Sequence, residues 1–212
     1  MTGKERDPEA WKVVYEAKTP AELAAAYADW SNHYDSETLG IGYTLPFLIT
    51  SWLARHVQKG LGPVLDAGCG TGLSGPFVRA LGYDDVEGLD LSPDMLALAK
   101  ARGVYSKLTQ AELGRKLPWP DGHFAAFFST GVFTEGHAPA SGLDELVRIT
   151  GSGGHAIVTV RDILLERLGF NEKFAELERT GRWVPVEEST PFRAFVLAEP
   201  DTLIKAFVFR VL

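Results

Sequence analysis

The chain has 212 residues, of which 45% are hydrophobic and 23% charged, so one sizeable core in one compact domain is expected. A formal net charge of -7 and the lack of a basic run disfavour a nucleic-acid partner. No apolar run approaches the ~20 residues that span a bilayer, and the polar start lacks the apolar segment of a secretory signal. The single cysteine, Cys69, excludes an internal disulfide and predicts a cytoplasmic location.

Two helices are predicted near the N-terminus. The stretch TPAE (19–22) has the form of a capping box, which begins a helix. Large side chains then recur on one face of that helix: Leu23, Tyr27, Trp30 and Tyr34. A second apolar helix is predicted over residues 45–57. We therefore expect a helical cap in residues 1–60, packed on a core formed by residues 61–212.

Short apolar runs and helical segments alternate through the rest of the chain. Strands are predicted over residues 63–67, 85–89, 104–108, 124–129, 155–160, 193–198 and 207–212. Helices are predicted over residues 74–81, from residue 92 onward, and over 143–149 and 172–179, and the glycines of residues 151–154 are expected to turn the chain. This alternation predicts right-handed βαβ units and a largely parallel sheet. The two closing strands are separated by a short connection and should pair antiparallel.

The first predicted strand leads into a glycine-rich turn, VLDAGCGTG (64–72). In open α/β sheets, ligands bind beyond the carboxyl ends of the strands. The dinucleotide fingerprint has a third glycine where this chain has Leu73. A carboxylate at Asp66 would also oppose a pyrophosphate at the helix N-terminus, whereas it would stabilise a ligand with an ammonium group. The turn therefore predicts a nucleoside with a cationic, amino-acid-like tail.

Residues after the second and third strands complete a predicted nucleoside site. Asp90 follows Gly68 at the spacing typical of a carboxylate that accepts hydrogen bonds from ribose hydroxyls. NAD sites have the same spacing, so Asp90 alone does not distinguish NAD from the predicted nucleoside. Glu112 is a candidate acceptor for an adenine amino group. The candidates for apolar packing on the purine are Leu91, Met95 and Leu113.

These motifs resemble those of class I S-adenosylmethionine-dependent methyltransferases. The matching segments are VLDAGCGTG (64–72), GLDLSPDMLALAK (88–100), LPWPDGHFAAF (117–127), ITGSGGHAIVTV (149–160) and YADWSNHYDSETLGIGY (27–43). The stretch TGVFTEGH and the helix-rich ending are similar to the Williams-Beuren-region methyltransferase-like proteins. The chain departs from the family pattern at Ala125, where aspartate is usual, at Ser152, where proline is usual, and at Glu112, where aspartate is common.

The resemblance implies a Rossmann-like α/β fold with seven strands, the last inserted antiparallel, helices on both faces and an N-terminal helical cap. It implies S-adenosyl-L-methionine as cofactor and S-adenosyl-L-homocysteine as product. The cofactor contacts that it implies are Asp66, Ala67, Gly68, Gly70, Asp90, Thr130 and Gly131, with Trp30 and Tyr34 covering the cofactor from the first helix.

Methyl transfer from a sulfonium mainly requires alignment and exclusion of water, and needs a base only when the acceptor loses a proton. His137, just past strand four, is the candidate base. The alternative, that it is a loop histidine hydrogen-bonded to the backbone without a catalytic role, is at least as well supported by the sequence. Tyr43 and Phe133 are candidate pocket walls, and Arg161 either meets an anionic substrate or pairs with Asp162.

The predicted function is methyl transfer to a small-molecule acceptor by in-line displacement. No metal, membrane or nucleic acid is expected, and the protein is predicted to be a monomer or a homodimer. Two alternatives remain open: a catalytically weak S-adenosylmethionine-binding protein and an NAD-dependent reductase, which shares Asp90 but is opposed by Leu73 and Asp66.

Overall fold

The computed structural model describes Ala17 and residues 19–212. The polar start of the chain, and with it the first part of the predicted cap, lies outside the described residues. The first helix, α1, is Pro20–Gly40, and its N-cap Thr19 accepts a hydrogen bond of 3.2 Å from the amide of Glu22. The second helix, α2, is Leu45–His56. Both predicted helices are therefore confirmed.

The first half of the sheet follows the predicted alternation. Its elements are β1 (Val64–Ala67), α3 (Gly75–Ala80), β2 (Val86–Asp90), α4 (Pro93–Ala101) and β3 (Lys107–Gln110). The predicted start of α4 is confirmed, because the Ser92 hydroxyl accepts from the amide of Met95 at 3.3 Å. Strand β3 begins later than predicted, since the Tyr105 hydroxyl donates to Asp66 and its ring packs beside the glycine turn.

The second half contains elements that the sequence pattern did not predict. Its elements are β4 (Phe124–Phe133), α5 (Gly142–Arg148), β5 (Thr150–Arg161), α6 (Leu164–Arg167), α7 (Phe170–Arg179), β6 (Trp183–Glu188), β7 (Phe192–Arg193) and β8 (Leu203–Val211). Strand β6 was missed because it contains Pro185, which an edge strand tolerates. Residues 151–154 do not turn the chain out of the sheet; they form an irregularity within β5.

The sheet order is β3-β2-β1-β4-β5-β8-β6, with β7 paired to β8. Strands β1 to β5 are parallel, and β8 lies antiparallel between β5 and β6. This confirms the predicted mostly parallel sheet with an inserted last strand. The predicted strand at 193–198 is shorter, because beyond Ala194 the backbone pairs instead with the α1–α2 loop, where the Val196 amide donates to Gly42.

The core lies on both faces of the sheet. Phe127 packs in the cluster formed with α5 and α7, and the adjacent Phe128 packs in the cluster formed with α2 and α3. This confirms that the run FAAFFS is a strand buried on both faces. No helix in the described part of the chain is both long and apolar enough to cross a membrane.

Trp183 attaches β6 and α7 to the sheet. Its ring stacks on Phe209 with centroids 3.8 Å apart, its indole N–H donates to the carbonyl of Phe174 at 3.2 Å, and the residue is fully buried.

We expect Trp183→Ala to lower the free energy of unfolding by about 3–5 kcal/mol, as measured by urea denaturation. Val186→Ala, on the same strand but exposed, is the control and should change it by less than about 0.5 kcal/mol. Equal losses in the two variants would contradict this role.

Candidate active site

The glycine turn lies at the carboxyl end of β1, beside the end of β4. Gly68, Gly70 and Gly72 have φ values of +83°, +54° and +80°, which favour glycine. A Cβ on Gly68 would overlap the side chain of Val132, so β4 approaches the turn closely. A Cβ on Gly70 would meet no atom within 4 Å, so the backbone there faces open space. The turn thus leaves bare backbone for a ligand.

Asp90 fixes the turn in place. One of its carboxylate oxygens accepts from the amide of Gly70 at 2.8 Å, and the other accepts from the amide of Ser92 at 2.9 Å. Burial raises the pKa of Asp90, and these backbone hydrogen bonds partly offset the rise. Since each carboxylate oxygen has a further lone pair, Asp90 can still accept from a ligand.

A cavity of about 370 Å³, the glycine-loop cavity, opens between this turn, α1 and the ends of β2 and β4. Most of the residues predicted to contact the cofactor line it. They are Tyr34, Gly68, Gly70, Asp90, Leu91, Met95, Glu112, Leu113, Thr130 and Gly131. Glu112 also pairs with Arg115 at 3.6 Å. Sequence reasoning missed Tyr27 and Pro139, which line it too, although the helical face shared with Trp30 and Tyr34 was a signal for Tyr27.

Three predicted cofactor residues lie elsewhere. Trp30 lines a neighbouring cavity, whereas Asp66 and Ala67 are buried in β1 and line neither cavity. One oxygen of Asp66 accepts from the Tyr105 hydroxyl at 2.8 Å. Burial raises the pKa of Asp66 to about 7; the Tyr105 hydrogen bond opposes this rise and the charge of Asp90 adds to it. The Asp66 carboxylate therefore does not line the ligand cavity, and its charge would act on a ligand from a distance.

A second cavity of about 590 Å³, the aromatic cavity, adjoins the first. All of the predicted substrate-pocket residues line it: Tyr43, Phe133, His137 and Arg161. Further walls that the sequence did not reveal come from the start of α2, from the segment between β7 and β8 and from β8 itself, including Leu45, Phe195, Glu199 and Ile204. The two cavities share Tyr27, Tyr34, Gly131 and His137, so they meet at these residues.

His137 stands at this junction in a defined protonation state. Its Nδ1 lies 2.7 Å from the carbonyl oxygen of Glu135, which only accepts hydrogen bonds, so Nδ1 carries the proton. Its Nε2 lies 2.8 Å from the Tyr27 hydroxyl, which donates to it in the neutral tautomer. Burial lowers the pKa of His137, so the neutral, proton-accepting form is favoured near pH 7.

Helix α1 is joined to the glycine turn by polar contacts that the sequence did not reveal. The Thr71 hydroxyl donates to Asp35 at 2.6 Å, and Arg102 pairs with the other oxygen of Asp35. Arg102 also donates to the carbonyl of Thr71 at 2.6 Å. The helix that carries Tyr27, Trp30 and Tyr34 is thereby anchored to the turn that it covers.

Comparison with known proteins identifies the family. A family model described as a methyltransferase domain matches residues 65–158. Methyltransferase-like protein 27 of Homo sapiens is 32% identical over 166 residues, which cover 74% of this chain and 66% of that protein. The chain belongs to the class I S-adenosylmethionine-dependent methyltransferases. This confirms the predicted family and cofactor, and sets aside the NAD-dependent reductase.

Two further comparisons concern one relative in sequence and one solved structure of similar fold. The 18S rRNA (guanine(1575)-N(7))-methyltransferase of Saccharomyces cerevisiae is 39% identical over 66 residues, 31% of this chain and 24% of that protein. The crystal structure of the cyclase SpnF matches 92% of this chain and 97% of that one, with a TM-score of 0.70 and 18% sequence identity. This match shows a similar fold. The matched regions span just under two thirds of the human protein and about a quarter of the yeast protein.

The glycine-loop cavity of this methyltransferase fits S-adenosylmethionine. Its volume lies within the range of small-molecule sites, about 300–1,000 Å³. Gly70 leaves open backbone, Asp90 offers carboxylate lone pairs for ribose hydroxyls, and apolar side chains line the same cavity. The two buried carboxylates, Asp66 and Asp90, favour a cationic ligand over an anionic one.

Asp66 makes the stability of this methyltransferase depend on pH. The folded protein keeps a proton on Asp66 that the unfolded chain releases between about pH 4 and pH 7, so stability falls as pH rises through that window. The rise in pKa from 3.8 to about 7 corresponds to about 4 kcal/mol. We expect Asp66→Asn to exceed the wild type in free energy of unfolding at about pH 8, and this gain to shrink toward pH 4.

Urea unfolding of both proteins across this pH range measures the effect. Tyr105→Phe is the matched control: it removes the hydrogen bond that lowers the Asp66 pKa, so its stability loss should be larger at high pH than at low pH. A stability difference between Asp66→Asn and the wild type that stays constant with pH would disprove the role of Asp66 titration.

The same variant tests the charge argument for the cofactor. Asp66→Asn should weaken S-adenosylmethionine binding by about tenfold at about pH 8, because a favourable charge near a cationic ligand is lost. Adenosine has neither the ammonium nor the sulfonium, so its affinity should be unchanged. Calorimetric titration with both ligands separates these outcomes, and an equal loss for adenosine would point to a damaged loop instead.

Proposed function

We propose that this chain transfers a methyl group from S-adenosylmethionine to a small-molecule acceptor held in the aromatic cavity. The observation that carries this proposal is the meeting of two cavities at Tyr27, Tyr34, Gly131 and His137. The glycine-loop cavity takes the cofactor and the aromatic cavity takes the acceptor. The predicted cap within residues 1–60 contributes α1 to this junction, and the core of residues 61–212 contributes the rest.

The residues of the junction would align the reactants and exclude water. When bound, S-adenosylmethionine supplies an electrophilic methyl group on a sulfonium, and the carbon–sulfur bond breaks as the methyl passes to the acceptor. Tyr27 and Tyr34 close the junction from α1, and Gly131 allows close approach from β4, where a Cβ would lie 2.5 Å from the Tyr43 hydroxyl. Positioning of this kind supplies much of the rate enhancement for such a transfer.

His137 is the proposed general base. An acceptor hydroxyl or amine must lose a proton as the new bond to the methyl carbon forms, and Nε2 of neutral His137 accepts it. The carbonyl of Glu135 holds Nδ1–H and so fixes the tautomer. Nε2 has one lone pair, which the Tyr27 hydroxyl occupies, so the acceptor would take the place of that hydrogen bond when it binds. The resulting imidazolium would return its proton to solvent after product release.

The shape and charge of the site support a small acceptor. Aromatic and aliphatic side chains wall the aromatic cavity, and the whole chain has a net charge of -7, which disfavours a polyanionic substrate. The yeast relative is named as an rRNA methyltransferase, but its match extends over only 66 residues.

The predictions of a cytoplasmic location and of a monomer or homodimer remain part of this proposal.

His137→Gln tests the mechanism. It should reduce kcat by about 10²–10⁴-fold for an acceptor that loses a proton, because general-base catalysis contributes about that much. His137 also lines the glycine-loop cavity, but the glycine turn and Asp90 are untouched, so the affinity for S-adenosylhomocysteine should fall by far less than kcat, by about threefold at most. Turnover of labelled S-adenosylmethionine against hydroxy, amino and thiol acceptors provides kcat.

His33→Gln is the matched control, because His33 is exposed on α1 and lines neither cavity. It should leave kcat and cofactor affinity unchanged. Cofactor binding by the wild type without turnover of any acceptor would favour the alternative of a catalytically weak S-adenosylmethionine-binding protein. Unchanged kcat in His137→Gln would remove the base from the mechanism.

A further inference from the structure

Arg161 lines the aromatic cavity, and no acceptor in the described part of the chain forms a hydrogen bond with its guanidinium. It ends β5, and its side chain is 26% exposed. Its Nε is buried and makes no hydrogen bond within the described part of the chain. Its ion pair with Glu135 has an Nη1–Oε2 distance of 3.9 Å, beyond hydrogen-bond range. The capacity of the Arg161 guanidinium as a hydrogen-bond donor is therefore largely unused.

The charge of Glu135 is already compensated by another residue. Arg167, which is largely exposed and does not line the cavity, pairs with Glu135 at 3.1 Å, closer than Arg161 does. The backbone carbonyl of Glu135 is engaged by His137. Glu135 therefore leaves Arg161 with an incompletely neutralised positive charge inside the site.

A second carboxylate of the aromatic cavity, that of Glu199, favours a ligand with one negative charge over a ligand with two. Glu199 lines the cavity and accepts from the Thr202 hydroxyl at 2.9 Å. A phosphate with two charges would meet this carboxylate as well as Glu135, whereas a carboxylate needs only one guanidinium. The remaining walls are mainly aromatic and aliphatic and suit an apolar body.

We propose that Arg161 anchors the carboxylate of the methyl acceptor, whose apolar or aromatic body fills the aromatic cavity. This inference rests on the proposed function and names its substrate class: monocarboxylic acids with a second, methyl-accepting group. The planar guanidinium binds a carboxylate through two parallel N–H donors. The acid is thereby oriented by Arg161, and its accepting group lies at the junction with His137.

The test is calorimetric binding in the presence of saturating S-adenosylhomocysteine. The probes are hydroxybenzoate, hydroxyphenylacetate and hydroxycinnamate, each compared with its neutral amide and with hydroxybenzylamine as a cation. At least one acid should bind the wild type about tenfold or more tightly than its amide. Arg161→Gln should abolish that preference, and Arg161→Lys should restore part of it.

Arg167→Gln is the matched control, because it removes the neighbouring guanidinium that also contacts Glu135 but does not line the cavity. It should keep the preference for the acid. Equal binding of acids and amides, absence of binding by every acid, tighter binding of the amine, or an equal loss in both Gln variants would overturn the proposal. S-adenosylhomocysteine affinity is measured in the same experiments: its absence in the wild type would refute the proposed function, whereas its presence without acid preference refutes only the anchor.

Discussion

The hydrogen bonds of Asp90 organise the site. One carboxylate holds both the glycine turn after β1 and the turn after β2, because it accepts from the amides of Gly70 and Ser92. The glycine-loop cavity lies against these two turns, and α1 is anchored to the same turn through Asp35, Thr71 and Arg102. The amides of Gly68 and Cys69 add two further hydrogen bonds to the carbonyl of Leu89, so the turn is held to β2 at Gly70, where the backbone is bare, and at the two residues before it.

The site carries a cost in stability. Asp66 and Asp90 are two buried acids on adjacent strands, and each raises the free energy of the folded protein when it ionises. The Tyr105 hydroxyl offsets only part of this cost at Asp66. A cationic ligand in the adjacent cavity would favour the ionised form of both acids, so their ionisation would contribute to ligand affinity. Such a balance between stability and function is common in enzyme sites.

Local patterns predicted the parts of the structure that depend on neighbours in sequence. The capping residues Thr19 and Ser92, the glycine turn and the buried run FAAFFS act over a few residues, so their spacing was sufficient. Strand β6 was not predicted because its pairing with β8 overrides the proline within it. The contact of Tyr27 with His137 also escaped sequence reasoning, because it joins residues 110 positions apart and depends on how α1 packs over the sheet.

Glu135 connects the two functional groups proposed for the acceptor site. Its backbone carbonyl sets the tautomer of His137, and its side chain lies between Arg161 and Arg167. A carboxylate that binds Arg161 would replace the weak 3.9 Å pairing and leave Glu135 to Arg167 alone. Because the backbone contact to His137 does not depend on that side chain, acceptor binding need not disturb the base. The arrangement thus permits Arg161 to anchor an acid while His137 deprotonates its accepting group.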